Sequence, residues 1–296
     1  MYGKSDYRLL FTDYRSPEPK SVNEHPIGVF DSGVGGLSVL RHLRAQLPAE
    51  QFVYLADQGH VPYGSRSAQE IIRFSQGITQ FFLKLNVKAI VVACNTASAA
   101  ALSLLRQQFD LPFVGMEPAV KPAAQQTQSG KVGILATGGT FASTRYARLT
   151  AKYAKGVSVW EDPCVGLVPE IEAGHLDSPT VHQILQQALT PMLAVGVDTI
   201  VMGCTHYPFV LPVVEGIVGT AVTIIDPAPA VARQTGVVLR QHSLLADASQ
   251  SGSVRFITTG AAEPYARQVE QLLGLSGVGV ETAVWNGYRL SVNGKR

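Results

Sequence analysis

The chain has 296 residues, 46% hydrophobic and only 16% charged, a balance that excludes a disordered chain and asks for extensively buried elements. Twenty-four Lys and Arg oppose twenty-two Asp and Glu, and the net charge of +2 gives no electrostatic footprint for nucleic acid or an anionic membrane. Three cysteines cannot build a disulfide framework, and neither a secretory signal nor a membrane-spanning apolar run is visible, so the expectation is a soluble cytoplasmic protein.

Residues 1–25 alternate in charge without a sustained period and are set apart as an N-terminal extension, with Tyr7, Leu10, Phe11 and Tyr14 at helical spacing. From residue 26 short β-branched runs alternate with helical stretches. Ile27–Phe30 reads as a strand running into Asp31-Ser-Gly-Val-Gly-Gly36 and a helix through Leu37, Leu40 and Leu43. Phe52–Leu55 is a second strand, followed by a loop ending Pro62-Tyr63-Gly64 and a helix over 68–85. Ala89–Ala93 is a third, and Cys94-Asn95-Thr96 opens an alanine-rich helix. This alternation marks an α/β fold with mainly parallel sheets flanked by helices, whose ligands sit at the carboxyl ends of the strands.

The pattern then recurs. Lys131–Thr140 echoes Pro26–Gly35 about 105 residues later, and Thr199–His206 echoes Ala89–Thr96 about 110 residues later. Two echoes in the same order at nearly one offset indicate an internal duplication. Two similar lobes related by pseudo-twofold symmetry then face each other across a cleft, which is where a small-molecule site belongs.

Cys94 and Cys204 hold equivalent places in the two halves, each after an apolar strand and before a segment able to cap a helix. Unpaired backbone N–H groups and the helix dipole favour thiolate at such a junction. Lowering a thiol from about 8.5 to about 7 takes roughly 2 kcal/mol and raises its acid dissociation constant some thirty-fold. A pseudo-twofold axis aims both sulfurs at one ligand from opposite sides, a geometry suited to inversion: one thiolate removes a proton while the other thiol delivers one to the opposite face. A hydrolase needs a single nucleophile and gains nothing from the symmetry. Asp31 either supports a base, binds an ammonium group, or caps the following helix. His206, two residues from Cys204, is either its acid–base partner or a structural histidine. Gly33-Val-Gly35-Gly36 lacks both the P-loop Lys-Ser/Thr and the G-x-G-x-x-G spacing, and reads as a tight turn that opens a helix N-terminus toward a ligand carboxylate. The cysteines have no metal-ligand spacing, and Cys164, without a counterpart in the other half, reads as structural. Whether Trp285-Asn-Gly-Tyr288 turns a terminal hairpin stays open.

Taken together, Val29–Gly36, Pro62–Gly64, Val92–Ser98, Leu135–Thr140 and Gly203–Pro208 resemble the bacterial glutamate racemases, members of the cofactor-independent aspartate/glutamate racemase superfamily, over residues 26–275. Cys204-Thr-His206 looks like the glutamate enzymes, whereas aspartate racemases typically carry Cys-Thr-Glu there. The resemblance implies acid/base thiols at Cys94 and Cys204, with Asp31 supporting Cys94 and His206 supporting Cys204. It places an acidic residue at Glu172 within Val168–Glu172, beside which Glu170 is a second candidate. It implies substrate contacts at Asp31, Ser32, Tyr63, Gly64, Asn95, Thr96, Thr137, Thr140, Thr205 and His206, and neither cofactor nor metal. It also implies a first domain of 26–117 plus 226–296, a second of 118–225, glutamate as substrate, and a homodimer. The extension resembles those of proteobacterial members activated by UDP-N-acetylmuramoyl-L-alanine, and D-glutamate would serve peptidoglycan synthesis. The rival readings are a Cys204–His206 hydrolase and a two-lobed amino-acid-binding protein.

Overall fold

The structure is a computed structural model and describes residues 21–292. The helical spacing of Tyr7 to Tyr14 in the N-terminal extension lies outside the described residues. Strand β1 (Ile27–Asp31) leads to helix α1 (Leu37–Gln46), β2 (Gln51–Ala56) to α2 (Ala68–Lys84), β3 (Ala89–Val92) to α3 (Asn95–Gln108), and β4 (Phe113–Gly115) to α4 (Val120–Gln126). The pattern then restarts. β5 (Lys131–Leu135) leads to α5 (Gly138–Phe141) and α6 (Thr144–Tyr153), and β6 (Ser158–Asp162) to α7 (Leu167–Glu172) and α8 (Pro179–Ala194). β7 (Thr199–Met202) leads to α9 (Leu211–Val218), and β8 (Thr223–Ile225) to α10 (Ala228–Gln241). β9 (Ser253–Thr258), α11 (Ala262–Leu273), β10 (Val280–Asn286) and β11 (Arg289–Val292) follow.

The described strands form two sheets, ordered β11-β10-β9-β2-β1-β3-β4 and β6-β5-β7-β8. Without its three added strands the first sheet reads β2-β1-β3-β4, the order of the second, and every pairing within both sets is parallel. The registers agree too: Ile27 lies opposite Ala89 in one sheet and Val132 opposite Thr199 in the other. The duplication read from the sequence is therefore a repeat of topology, and it produces the expected two-lobed α/β fold.

β1 is buried along its whole length, which is why it carries no polar alternation until its end. Ile27 and Val29 face Leu37, Leu40 and Leu43 of α1, while Phe30 turns to the opposite face and joins Phe74, Ile78 and Phe82 of α2. The start of α2 is pinned by a capping box: Ser67 Oγ accepts the Glu70 N–H, and the Glu70 carboxylate accepts the Ser67 N–H at 3.0 Å. That cap fixes the exit of the Pro62–Gly64 loop. The open question at the C-terminal end resolves as a hairpin. Asn286 pairs with Arg289 across a two-residue turn in which Gly287 takes φ 57°. The hairpin rests on α2 at Gly77, where a Cβ would strike the Trp285 ring. Among the described residues no helix is long and apolar enough to cross a membrane.

Candidate active site

The carboxyl ends of the two sheets face each other, and hydrogen bonds cross between them. Asn95 Nδ2 donates to the Gly203 carbonyl at 2.6 Å, and the Thr96 and Thr137 hydroxyls lie 2.9 Å apart. Ser38 Oγ donates to the carbonyl of Thr205 at 2.8 Å. Cys94 and Cys204, each 5% exposed, line one cavity at this junction with Ser32, Tyr63, Gly64 and Asn95. Thr96, Thr137, Thr205 and His206 complete its predicted wall, to which Pro62 and Val168 add apolar surface. The cavity measures only about 20 Å³, room for roughly one water molecule, so the cleft is closed. Asp31, Thr140 and Glu172 stand behind this wall rather than in it. Thr140 is fully buried and its hydroxyl lies 3.2 Å from that of Thr137.

Cys94 caps α3, its Sγ accepting the Ala97 N–H at 3.5 Å. The sequence leads one to expect a lowered thiol here, and the structure reverses that. Burial pushes the Cys94 thiol well up, the neighbouring Asp31 charge adds to the rise, and the single N–H bond at the helix start does not offset them. Asp31, at the end of β1, is itself raised by burial, against the pull of His206 and of its bonds to Cys94 and Gly36. One of its oxygens accepts the Gly36 N–H at 2.8 Å, so Asp31 ties down the turn before α1 and faces the thiol at once.

Cys204 has a different setting. A 3-10 turn over Tyr207–Val210 follows it, not an α-helix N-terminus, so the capping expected from the repeat is realised at Cys94 alone. In its place stands His206, with Nδ1 3.8 Å from Cys204 Sγ and Nε2 2.6 Å from Glu172 Oε1. Burial alone would lower this imidazole, but its bonds to Cys204 and Glu172 outweigh that and hold it well above the usual histidine range. Glu172 shows the mirror balance. Burial opposes its charge, yet His206, the Val34 N–H at 2.8 Å and Gln58 keep its carboxyl below the ordinary value. Glu170, the alternative acid, points elsewhere, toward His175 at 3.2 Å and Ser178 at 3.1 Å.

The glycine turn has another role than the one expected. Two of its N–H groups, those of Val34 and Gly36, are taken by Glu172 and Asp31 and so are not offered to a ligand. Gly33, Gly35 and Gly36 have no positive φ. They are required for space: a Cβ at Gly33 would overlap the Glu172 carboxylate, one at Gly35 the His206 ring, and one at Gly36 would sit 2.7 Å from the Tyr54 hydroxyl.

Sequence reasoning missed two supporting residues. Asp57, fully buried just beyond β2, accepts hydrogen bonds from the Tyr63 hydroxyl at 2.6 Å, Trp285 Nε1 at 2.7 Å and Thr259 Oγ1 at 2.8 Å. It holds the Tyr63 wall of the cavity to the C-terminal hairpin. An acid ending a buried strand at the same sheet edge as Asp31 was the available signal. Gln58 has no such signal, because its partners Thr258, Gln268 and Glu172 are distant in sequence. Cys164 is buried outside the cavity wall, and burial raises its thiol above the usual range.

The model of the Asp/Glu/Hydantoin racemase family matches residues 27–235. A glutamate racemase of Herpetosiphon aurantiacus is 48% identical over 83% of this chain and 97% of its own length. Among solved structures, the glutamate racemase isoform RacE1 from Bacillus anthracis superposes with a TM-score of 0.80 at 34% identity, covering 90% of this chain and 99% of that one. Escherichia coli glutamate racemase in complex with L-glutamate and activator UDP-MurNAc-ala gives a TM-score of 0.76 at 32% identity, over 91% of this chain and 100% of that one. With duplicated lobes, a thiol at the matching strand end of each, and these matches along most of its length, the chain belongs to the Asp/Glu/hydantoin racemase family.

Proposed function

We propose that this chain is an amino-acid racemase that interconverts L- and D-glutamate without a cofactor, Cys94 and Cys204 acting from opposite faces of the α-carbon. The observation that carries the reading is the meeting of the two thiols in one cavity, each backed by its own acid. The arrangement is asymmetric. His206, held well above the usual histidine range, sets Nδ1 3.8 Å from the Cys204 sulfur, whereas burial keeps Cys94 a thiol. In one direction the Cys204 sulfur takes the α-proton and its electron pair stays on carbon. The Cys94 thiol then gives its proton to the opposite face. The products are the other enantiomer, a Cys204 thiol and a Cys94 thiolate, which is the starting state for the reverse direction. Asp31, pushed up by burial, holds a proton more readily than a surface aspartate and can hydrogen-bond the Cys94 thiolate. His206 and Glu172 do the corresponding work for Cys204.

For binding, we assign the substrate contacts to Ser32, Tyr63, Gly64, Asn95, Thr96, Thr137, Thr205 and His206. Asn95 Oδ1 is buried and has no partner among the described residues, while its Nδ2 is committed to Gly203, so the oxygen suits an ammonium donor. The hydroxyls of Thr96 and Thr137 suit a carboxylate. A dry, closed site strengthens each of these contacts and stabilises the carbanion.

We propose further that the lobes comprise 26–117 with 226–296, and 118–225. The protein works in the cytoplasm as a homodimer, supplies D-glutamate for peptidoglycan, and responds to UDP-N-acetylmuramoyl-L-alanine through residues 1–25. The test is incubation with L-glutamate and no added cofactor, followed by polarimetry. Rotation decays to zero if the reading is right. Static rotation, with the peptidoglycan precursor absent and present, returns the chain to the hydrolase or binding-protein readings. A chain lacking residues 1–22 that keeps the full response to the precursor ends the role of the extension.

A further inference from the structure

α7 is a short helix of the second lobe, anchored there by the buried side chains of Leu167 and Ile171, and Glu172 is its last residue. The last carbonyls of any helix lack partners within it and need donors from elsewhere. Here N–H groups of residues 173–175 serve the carbonyls of Pro169, Glu170 and Ile171, and the donors for Glu172 and for Gly174 just beyond it come from the other lobe. Gln268 Nε2 on α11 donates to the backbone carbonyl of Glu172, and Gln271 Nε2 on the same helix donates to that of Gly174 at 3.4 Å. Gln268 is oriented in turn by Gln58, whose Nε2 donates to Gln268 Oε1 at 2.9 Å and to Glu172 Oε2 at 3.3 Å. Thr258 Oγ1 donates to Gln58 Oε1 at 3.0 Å, which fixes that amide the right way round for both. The first lobe therefore holds both the backbone end of α7 and the carboxylate that supports His206.

We infer that Gln268 and Gln58 form a latch across the cleft that caps α7 from the opposite lobe, so that closing the site and placing Glu172 against His206 are one event. This rests on the racemase reading and adds positioning residues to it. A cavity of about 20 Å³ is too small to admit glutamate, so the lobes must part for substrate to enter, and parting them breaks these bonds. Open protein then leaves the Glu172 carboxylate without Gln58 and the Glu172 carbonyl without Gln268. Glu172, and through it the His206 support of Cys204, is therefore fully positioned only when the substrate is enclosed.

The test is Gln268→Met in the full chain, which keeps length and shape and removes the amide. Weakening the closed state by one hydrogen bond should raise KM for glutamate about fivefold to tenfold. At saturation substrate restores closure, so kcat should change less than twofold. Amide hydrogen exchange over 167–174 should quicken in the variant, while exchange in α3 stays at the parental rate. A Gln268→Met variant with parental KM and parental exchange over 167–174 overturns the latch, as does a fall in kcat with unchanged KM. If the parent chain itself does not racemise glutamate, the racemase reading fails by that result, and the exchange of 167–174 then decides the latch alone.

Discussion

Cys94→Ser and Cys204→Ser are each expected to lower racemisation by about 10³-fold or more, because a serine hydroxyl is neither a base nor an acid of useful strength at neutral pH. Rate loss alone would not separate the two-thiol account from a cysteine hydrolase, so the residual chemistry is the informative part. A variant with one thiol keeps a base on one face only. It should still exchange the α-proton of a single enantiomer with solvent and return it without inversion. Cys94→Ser should preserve exchange of the enantiomer presented to Cys204, and Cys204→Ser the other. The check is α-proton NMR of each pure enantiomer in D2O with each variant. A hydrolase centred on Cys204 and His206 would instead be indifferent to loss of Cys94.

Glu172→Gln is the second large effect, expected at about 10²-fold in rate together with a displaced pH profile. Glu172 lies below its ordinary value of 4.5 because its bonds to His206, Val34 and Gln58 outweigh burial. Its charge, and whatever stability the pair with His206 confers, is therefore present above the ordinary carboxylate range and lost as pH falls through the lowered value. His206 lies well above 6.5, so its charge is fully present below that pH and lost as pH rises through the raised value. The imidazolium–carboxylate pair thus exists between those two limits, and the activity it supports should occupy the same window. With Gln at 172, His206 loses one of the two partners that hold its proton, and the alkaline limb of kcat/KM should move to lower pH. Glu170→Gln should leave the profile in place, since that side chain contacts His175 and Ser178 instead.

Much of the site was legible because its residues follow strands. Asp31, Cys94 and Cys204 each stand at or just beyond the carboxyl end of a buried apolar run, and a parallel sheet brings such ends to one edge. The repeat offset carried the two-lobed architecture as well, since equal spacing of matching strands implied equal strand order. The electrostatics were less legible. Position at a helix start argued for a lowered Cys94 thiol, but desolvation is a property of the closed cleft and overrode the dipole. The glycine turn looked like an anion-binding turn, when Gly33 and Gly35 make room for Glu172 and His206, more than a hundred residues away. The latch of Gln58 and Gln268 was invisible, because two amides 210 residues apart carry no local pattern.

The central claim is that two sulfurs act from opposite faces, and the stereochemical course of deuterium incorporation tests it most directly. L-Glutamate would be incubated with the protein in D2O and sampled while less than about a tenth has reacted. The D-glutamate formed should carry deuterium at the α-carbon, delivered by the second thiol, while the unreacted L-glutamate keeps its proton. D-glutamate that retains the substrate's own α-proton, or deuterium appearing equally in both enantiomers from the start, would mean that one group serves both faces and would contradict the account.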